Sequence, residues 1–191
     1  MEKTKGKITK ERIIKKSAIL FLEHGYSNTG IAAILEAAEI PKGAFYFHFK
    51  SKNELGAAVA EYFSQELSTW FNDILKTTID WSSFVEQLAT DIHKKIEAAE
   101  YFGCPFSCFG TETAVIDKNI SDICTKAIQR LGQIFAMAMF RHENLTPAEI
   151  TEGFSALSMY EGYLVYFRIS GEKKTIDTMK DALIRMEDTK K

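Results

Sequence analysis

The sequence predicts an all-α protein, and three observations carry this prediction. Only three prolines occur among 191 residues, strand-like alternation of apolar and polar residues is scarce, and apolar residues recur at helical spacing throughout. Hydrophobic residues make up 46% of the chain and charged residues 26%, as in ordinary globular proteins. The length suits one small and one medium domain, each able to bury a core, with about nine helices in all.

A first helix is predicted over residues 9–24. Thr9 suits its N-cap, because a side-chain oxygen can satisfy free N–H groups, and Gly25 suits its C-cap, because glycine tolerates the left-handed conformation. Its apolar residues fall on one stripe, which we expect to face a core: Ile13, Ile14, Ala18, Phe21 and Leu22.

Two short helices are predicted next, over residues 29–37 and 41–47, joined by a tight link at residues 38–40. Thr29 suits the N-cap of the first. Pro41 suits the first turn of the second, because its missing N–H costs nothing there. Two short helices that meet at a three-residue turn indicate a helix-turn-helix.

The remainder is also predicted to be helical. Ser51 and Glu54 form a capping-box pattern that opens a long helix through about residue 75. Thr146 and Glu149 form a second capping box, with Pro147 at the first helical position. The helices predicted after the long one cover residues 83–99, 106–114, 119–142, 146–170 and 175–187.

The charge is divided unevenly along the chain. Residues 1–56 carry ten Lys and Arg residues and six acidic ones, whereas residues 57–191 carry 14 and 20. A chain with a basic N-terminal part and an acidic remainder attracts phosphates only at its N-terminal part. On charge alone, a chance asymmetry of solvated side chains is an equal alternative.

The second short helix carries residue types suited to DNA binding. Gly43 in its middle costs about 1 kcal/mol relative to alanine, which is tolerable if the bare backbone must lie close to DNA. Lys42 can pair with a phosphate or a guanine edge, and the hydroxyl of Tyr46, one turn later, can reach a phosphate. Thr29 and Lys52 stand at helix starts, where phosphate is readily bound. The residues predicted to contact DNA are Thr29, Lys42, Gly43, Ala44, Tyr46, His48 and Lys52.

A solvated face is the alternative interpretation for the polar members of this set. Phe45, Phe49 and Leu55 are instead expected to fill the core of the small domain.

Residues 25–34 and 40–55 resemble the TetR family of repressors, and the resemblance covers about 47 residues from Ile8 onward. It is carried by Gly25-Tyr26 at a corner, Thr29 at the second helix, Lys42-Gly43-Ala44-Phe45-Tyr46-Phe47-His48-Phe49 in the recognition helix, and Ser51-Lys52-Asn53-Glu54-Leu55 at the fourth. Glu39 stands where the family usually has a turn glycine.

The resemblance implies a DNA-binding domain over residues 1–56 and a ligand-binding and dimerisation domain over residues 57–191. It also implies a homodimer, a small-molecule effector and a palindromic double-stranded operator with half-sites roughly 34–36 Å apart. The last two long helices are the expected dimer interface. Its predicted apolar face consists of Leu157, Tyr160, Leu164, Phe167, Met179, Leu183 and Met186.

The C-terminal region is rich in aromatic and sulfur-containing residues, which predicts a mostly apolar effector pocket. Such residues can equally be core, and that alternative stays open for each. The residues predicted to line the pocket are Trp70, Tyr101, Phe102, Cys104, Phe106, Phe109, Phe135, Met139, Tyr160 and Tyr163.

Cys104 is a candidate reactive thiol. It lies between Gly103 and Pro105, just before a predicted short helix, and the positive end of a helix favours the thiolate. Gly103-Cys104-Pro105 together with Glu112 is similar to a TetR subgroup that includes electrophile-sensing repressors. An inert buried cysteine is the alternative. Cys104 and Cys108 are spaced like a metal pair but no nearby histidine completes a site, so we expect no metal or other cofactor.

Little in the sequence supports other classes of protein. The sequence has no nucleophile elbow, phosphate loop, Rossmann glycine pattern or His-Glu metal motif, so we do not expect an enzyme. It has no apolar run long enough to span a bilayer and no signal peptide, and its three cysteines are an odd number, which predicts a cytoplasmic protein with reduced thiols and no membrane partner.

The predicted function is transcriptional repression, relieved by a small apolar or electrophilic ligand. A DNA-binding activator or adaptor that senses no ligand, and a small-molecule enzyme, are the alternatives.

Overall fold

The structure, a computed structural model, describes residues 5–101 and 103–188, and every regular element within these ranges is helical. A π-helical turn, Phe106–Gly110, precedes the shortest helix. The helices are α1 Lys5–His24, α2 Ile31–Ala37, α3 Lys42–His48, α4 Lys52–Thr77, α5 Trp81–Glu97, α6 Thr111–Thr113, α7 Lys118–Phe140, α8 Pro147–Ser170 and α9 Lys174–Asp188. The predicted all-α class is confirmed.

The described residues form two compact units. Unit 1 comprises the chain up to Gln65 together with Cys108–Thr125, and unit 2 comprises Glu66–Ser107 together with the chain from Lys126 onward. The domain boundary predicted after residue 56 lies inside the first segment of unit 1. The sequence analysis did not predict that a second segment, Cys108–Thr125, also belongs to this unit.

An aromatic cluster joins the two segments of unit 1. The ring of Phe109, from the second segment, lies with its centroid 5.7 Å from those of Phe21, Tyr26 and Phe63. Phe109 was predicted to line the effector pocket, but it packs in the core of unit 1, so that prediction is wrong. The remaining core of unit 1 includes the predicted Phe45, Phe49 and Leu55, together with Ile13 and Ile34.

The turn between α2 and α3 contains a residue in the left-handed region. Glu39 has φ of 50°, whereas the preceding Ala38 is helical and fully buried. Pro41 is the N-cap of α3 and not its first helical residue. Ile34 of α2, Ala38 of the turn and Phe45 of α3 are all fully buried.

Unit 2 is built around an aromatic core. Phe135 of α7 lies against Trp81 and Phe84 of α5, Phe71 of α4 and Tyr160 of α8, with ring centroids 5.5–6.0 Å apart. Helix α9 packs on both α5 and α8.

Local signals set the ends of α8. The Thr146 side chain accepts a hydrogen bond from the Glu149 N–H, and the Glu149 carboxylate accepts one from the Thr146 N–H, as the predicted capping box requires. Gly171 ends the helix with φ of 69°, a conformation that glycine adopts without steric cost. Within the described ranges, no helix is both long and apolar enough to cross a membrane.

Candidate DNA-binding surface and effector site

The outer side of α3 carries four residues that we call the α3 surface: Lys42, Gly43, Tyr46 and Phe47. Lys42 and Gly43 are exposed, and the side chains of Tyr46 and Phe47 are 46% and 81% exposed. The opposite side of the helix buries Phe45 completely. α3 therefore uses one side for the core of unit 1 and presents the other to solvent.

Gly43 is not required by the fold of the chain itself. Its φ lies outside the positive region, and a Cβ added there meets no described atom within 4 Å beyond its own helix. Alanine would fit and would favour the helix by about 1 kcal/mol. The small surface at Gly43 is thus open for the close approach of another molecule.

Three of the predicted DNA contacts lie together on the α3 surface. The Lys42 ammonium is 6.0 Å from the centre of the Tyr46 ring, and Gly43 is their neighbour on the helix. Ala44 and His48 are half-buried, and His48 lies edge-on to the exposed ring of Phe47 with centroids 4.9 Å apart. The sequence reasoning missed Phe47, although this residue is two positions from both Phe45 and Phe49, the predicted core residues, and therefore on the other side of the helix.

Thr29 does not have the predicted role. It is buried, its hydroxyl donates to the Gly25 carbonyl at 2.7 Å, and Gly30 rather than Thr29 is the N-cap of α2. A hydroxyl used in this way secures the end of α1 and is not available to a phosphate. The predictions that Thr29 caps α2 and that its side chain contacts DNA are both wrong.

Lys52 is engaged within unit 1. Its ammonium lies 4.4 Å from the centre of the Tyr26 ring and donates to the Ser27 carbonyl at 3.3 Å. Burial lowers the pKa of Lys52, and the nearby Glu112 carboxylate partly opposes this effect. The side chain is half-buried, so its predicted phosphate contact requires it to leave these partners.

Glu112 holds the corner between α1 and α2. Its carboxylate accepts hydrogen bonds from the backbone N–H groups of Tyr26 and Ser27, each at 2.7 Å. Burial raises the pKa of Glu112, but these hydrogen bonds and the charge of Lys52 outweigh it, and the pKa lies below its ordinary value. Charge-assisted hydrogen bonds of this length are among the stronger ones in proteins.

A second series of hydrogen bonds in unit 1 starts at the Tyr26 side chain. The Tyr26 hydroxyl donates to the Asn53 side-chain oxygen, and the Asn53 amide donates to Asp117, both at 2.9 Å. Burial, followed by the charges of Asp117 and Glu112, raises the pKa of Tyr26 to about 12. These bonds connect the start of α4 and the α1–α2 corner to the second segment of unit 1.

Most of the remaining predicted effector residues belong to unit 2, where several form its core. Phe106, Phe135 and Tyr160 are buried, whereas Met139 and Tyr163 are half-buried. Phe102 lies outside the described residues. The ring of Trp70 is covered by the Lys95 ammonium at 3.6 Å, and its N–H donates to Asp91 at 3.2 Å.

A shallow depression of about 150 Å³ lies elsewhere on unit 2. It is lined by Leu75, Met137, Arg141, His142 and Glu143. None of the predicted effector residues lines it.

Four predicted or adjacent residues of unit 2 form a buried polar cluster, which we call the Cys104 cluster: Tyr101, Cys104, Tyr160 and Glu161. The Cys104 thiol and the Glu161 carboxyl group share a hydrogen bond, and the Tyr160 hydroxyl lies close to both of them and to Tyr101. The other carboxyl oxygen of Glu161, Oε2, is buried with no partner among the described residues. Burial raises the pKa of Glu161 to about 7.

The environment of Cys104 opposes the thiolate. The N–H groups of Phe106 and Ser107 hydrogen-bond to its sulfur, which agrees with the predicted position at a helix start. Burial and the neighbouring Glu161 nevertheless raise the pKa of the thiol well above its ordinary value. The prediction that the thiolate is favoured is wrong, because complete burial outweighs two backbone hydrogen bonds.

Five of the residues predicted to form the dimer interface are core residues of a single chain. Leu157, Tyr160, Leu164, Met179 and Leu183 are all buried in the isolated chain, so a partner could not cover them further. Their assignment to an interface is wrong. Phe167 and Met186 are half-buried, and the ring of Phe167 lies against Tyr101 with centroids 5.9 Å apart.

The outer side of α8 is apolar instead. Val165, Tyr166 and Ile169 are 41%, 52% and 79% exposed, and Gly162, one turn earlier, has open space around it. We call these four residues the α8 outer stripe. The sequence pattern could not distinguish the two sides, because α8 carries apolar residues on both.

No group of three or more His, Cys, Asp or Glu side chains in the described part of the chain is arranged to hold a metal ion. Cys104, Cys108 and Cys124 form no disulfide bond within the described residues.

Residues 13–59 match the sequence family described as bacterial regulatory proteins, tetR family. This part of the chain belongs to the TetR family. The matched residues run from α1 into α4 and include the whole α3 surface. The TetR-family match therefore covers the part of unit 1 in which three predicted DNA contacts lie together.

One relative, the HTH-type transcriptional repressor DhaR of Mycobacterium sp. (strain GP1), is 30% identical over 124 residues. The match covers 64% of this chain and 59% of the relative's length. An uncharacterized HTH-type regulator of Bacillus subtilis, YerO, is 50% identical over 54 residues, which is 28% of this chain and 19% of the relative.

Among solved structures, a TetR-family regulator from Agrobacterium tumefaciens superposes with a TM-score of 0.83 at 17% identity, over 94% of this chain and 98% of its own. At this identity the likeness establishes the fold alone.

Proposed function

We propose that the protein is a transcriptional repressor that inserts the α3 surface into the major groove of an operator. The observation that carries the proposal is the outward side of α3, where Lys42, Gly43 and Tyr46 lie exposed without a role in the core. A lysine can pair with guanine or phosphate, a tyrosine hydroxyl can bind phosphate, and a bare glycine lets the helix approach closely. A cytoplasmic location fits this role.

The DNA-binding proposal is tested by selecting bound duplexes from a random pool and measuring affinity for the recovered site by fluorescence anisotropy. Lys42→Ala should weaken binding and, if Lys42 binds a phosphate, reduce the steepness of log affinity against log salt by about 2, since each chain of the dimer loses one phosphate contact. Tyr46→Ala should also weaken binding. Lys118→Ala, which removes an exposed lysine of unit 1 outside α3, is the matched control.

We infer that two chains pair through the α8 outer stripe. Three large apolar side chains exposed on one side of a helix suit a partner that removes them from water, and Gly162 permits close approach. A two-fold dimer requires an operator with two symmetric half-sites.

Sedimentation velocity tests the dimer. Ile169→Glu should give monomers at concentrations where the unaltered chain is dimeric, because it places a charge in the apolar interface. Ile79→Glu, at an equally exposed isoleucine outside α8, should stay dimeric. Dimers that persist in Ile169→Glu would contradict this interface.

We infer that the effector binds at the Cys104 cluster and is a small, mainly apolar molecule with one hydrogen-bonding group. The apolar surroundings and the unpartnered Oε2 of Glu161 favour such a ligand. An effector that releases DNA must bind the DNA-incompetent state more tightly. Titration of candidate ligands against the protein–operator complex tests this, and a failure of every ligand to release DNA would favour the ligand-independent alternative.

An electrophilic effector is less favoured by this environment, because a buried neutral thiol is a poor nucleophile. Iodoacetamide labelling, read out by mass spectrometry, should modify half-exposed Cys108 before Cys104 and Cys124. Faster labelling of Cys104 than of Cys108 would favour an electrophilic effector instead.

A further inference from the structure

Phe47 is the largest exposed apolar side chain of α3. Its ring is 81% exposed, and the one ring contact it makes in the described structure is edge-on to His48, at 4.9 Å. Burying a phenylalanine gains about 1.5–3 kcal/mol relative to leaving it in water. Since the fold does not obtain this gain, the fold does not explain a phenylalanine at this position.

Phe47 lies beside the open surface at Gly43. Residues four apart in a helix share a face, so Phe47 lies on the side of α3 that carries Gly43. No side chain stands at Gly43 to shield the ring. Lys42 and Tyr46 are exposed next to this pair, so the ring projects from a surface that also offers a positive charge and a hydroxyl.

The chemistry of the major groove offers one apolar group to such a ring. Each base pair displays donors and acceptors there, and thymine alone adds a methyl group at C5. A helix that enters the groove with an unshielded phenyl ring can bury that methyl, whereas a polar base edge would lose its hydrogen-bonding water against the ring.

We propose that Phe47 reads a thymine methyl group in each operator half-site and so determines part of the sequence specificity. This inference rests on the proposed function, since it requires α3 to lie in the major groove. It assigns to Phe47 a role that differs from that of Lys42, because a contact with a methyl group carries no charge and releases no counterion.

The test uses the full-length protein and the operator recovered by selection. Each thymine is replaced in turn by deoxyuridine, which removes only the methyl, and affinity is measured at fixed salt. At one symmetric thymine position, the replacement should weaken binding about fourfold per half-site, the value expected for about 0.8 kcal/mol from one buried methyl.

Phe47→Ala should bind the thymine and deoxyuridine operators equally, and its salt dependence should match that of the unaltered protein. Phe47→Leu, which keeps an apolar side chain, should retain part of the discrimination. Val115→Ala removes another exposed apolar side chain of unit 1 and should leave the thymine preference unchanged. Circular dichroism should confirm that all three variants fold, since none alters a buried residue.

The outcomes separate the two proposals. Specific operator binding that is insensitive to every thymine replacement, or an equal penalty in Phe47→Ala and the unaltered protein, would overturn the role of Phe47 and leave the proposed function standing. A protein that prefers no duplex over random competitor would overturn both.

Discussion

The α3 surface of unit 1 and the core of unit 2 use their large side chains in opposite ways. Unit 1 leaves Tyr46 and Phe47 exposed on α3, whereas unit 2 buries Trp81, Phe135 and Tyr160 in a continuous aromatic core. Exposed residues that contribute nothing to folding can be changed with little effect on stability, so their identities are set by an external partner. An effector that enters the aromatic core of unit 2 must instead displace side chains that already stabilise the fold.

The largest expected effect comes from the core of unit 2. Phe135→Ala should lower the free energy of unfolding by about 3–5 kcal/mol, because it leaves a cavity among four aromatic rings. Phe47→Ala, the same substitution on an exposed ring, should change it by less than about 0.5 kcal/mol. Urea unfolding measures both, and similar losses in the two variants would remove the contrast between the units.

Glu161 should make the stability of unit 2 depend on pH. Its pKa of about 7 in the folded chain exceeds the ordinary 4.5, so the folded state holds a proton that the unfolded state releases. Stability from this group is therefore present below pH 4.5, declines as pH rises to about 7, and is lowest above it. The pKa difference corresponds to at most about 3 kcal/mol.

Glu161→Gln provides the control, because glutamine cannot lose a proton. The variant should gain stability over the unaltered protein at pH 8 and show no gain at pH 4, as measured by urea unfolding at both values. An equal difference at both pH values would contradict a neutral Glu161 in the folded chain.

Glu112 should give unit 1 the opposite pH dependence. Glu112→Ala leaves the Tyr26 and Ser27 N–H groups without their acceptor and should cost about 1–3 kcal/mol. Because the pKa of Glu112 is depressed, its stabilisation is present above the ordinary pKa and is lost as pH falls through the lower folded value.

Glu112→Gln should therefore flatten the acid side of the stability profile. If the acid limb of this variant matched that of the unaltered protein, Glu112 would not be the titrating group. Operator affinity, measured in parallel, should fall in Glu112→Ala because the carboxylate holds the corner that precedes α2.

The smallest expected effect lies in the turn before α3. Glu39 has φ of 50°, where a residue with a Cβ pays roughly 1–2 kcal/mol and glycine does not. Glycine would remove this strain, but its greater conformational freedom in the unfolded chain offsets part of the stability gained. Glu39→Gly should raise the free energy of unfolding by about 0.5 kcal/mol, and Glu36→Gly, within helix α2, should lower it. A loss of stability in Glu39→Gly would contradict a strained turn.

Features set by neighbours in sequence were predictable. Periodicity gave the helices and the buried Phe45, and the cap residues gave the limits of α8, because both depend on residues within one or two turns. The α3 surface was predicted except for Phe47. Its outward direction follows from the spacing to the core residues Phe45 and Phe49, and the sequence reasoning did not use this spacing.

Features set by distant contacts were not predictable. Glu112 and Tyr26 are 86 residues apart, and no local pattern pairs them. The position of Cys104 at a helix start was foreseen, but the burial and the Glu161 carboxyl group that reverse its pKa come from the tertiary fold. The same holds for Leu157 and Leu183, since an apolar stripe does not tell which surface will cover it.

The central claim is that the α3 surface lies in the major groove of a specific operator, and methylation interference tests it most directly. Guanine N7 is exposed in the major groove, so methylating it at symmetric positions of the recovered operator should block binding. We expect interference at those positions in both half-sites. Specific binding that tolerates N7 methylation at every guanine of the site would contradict it.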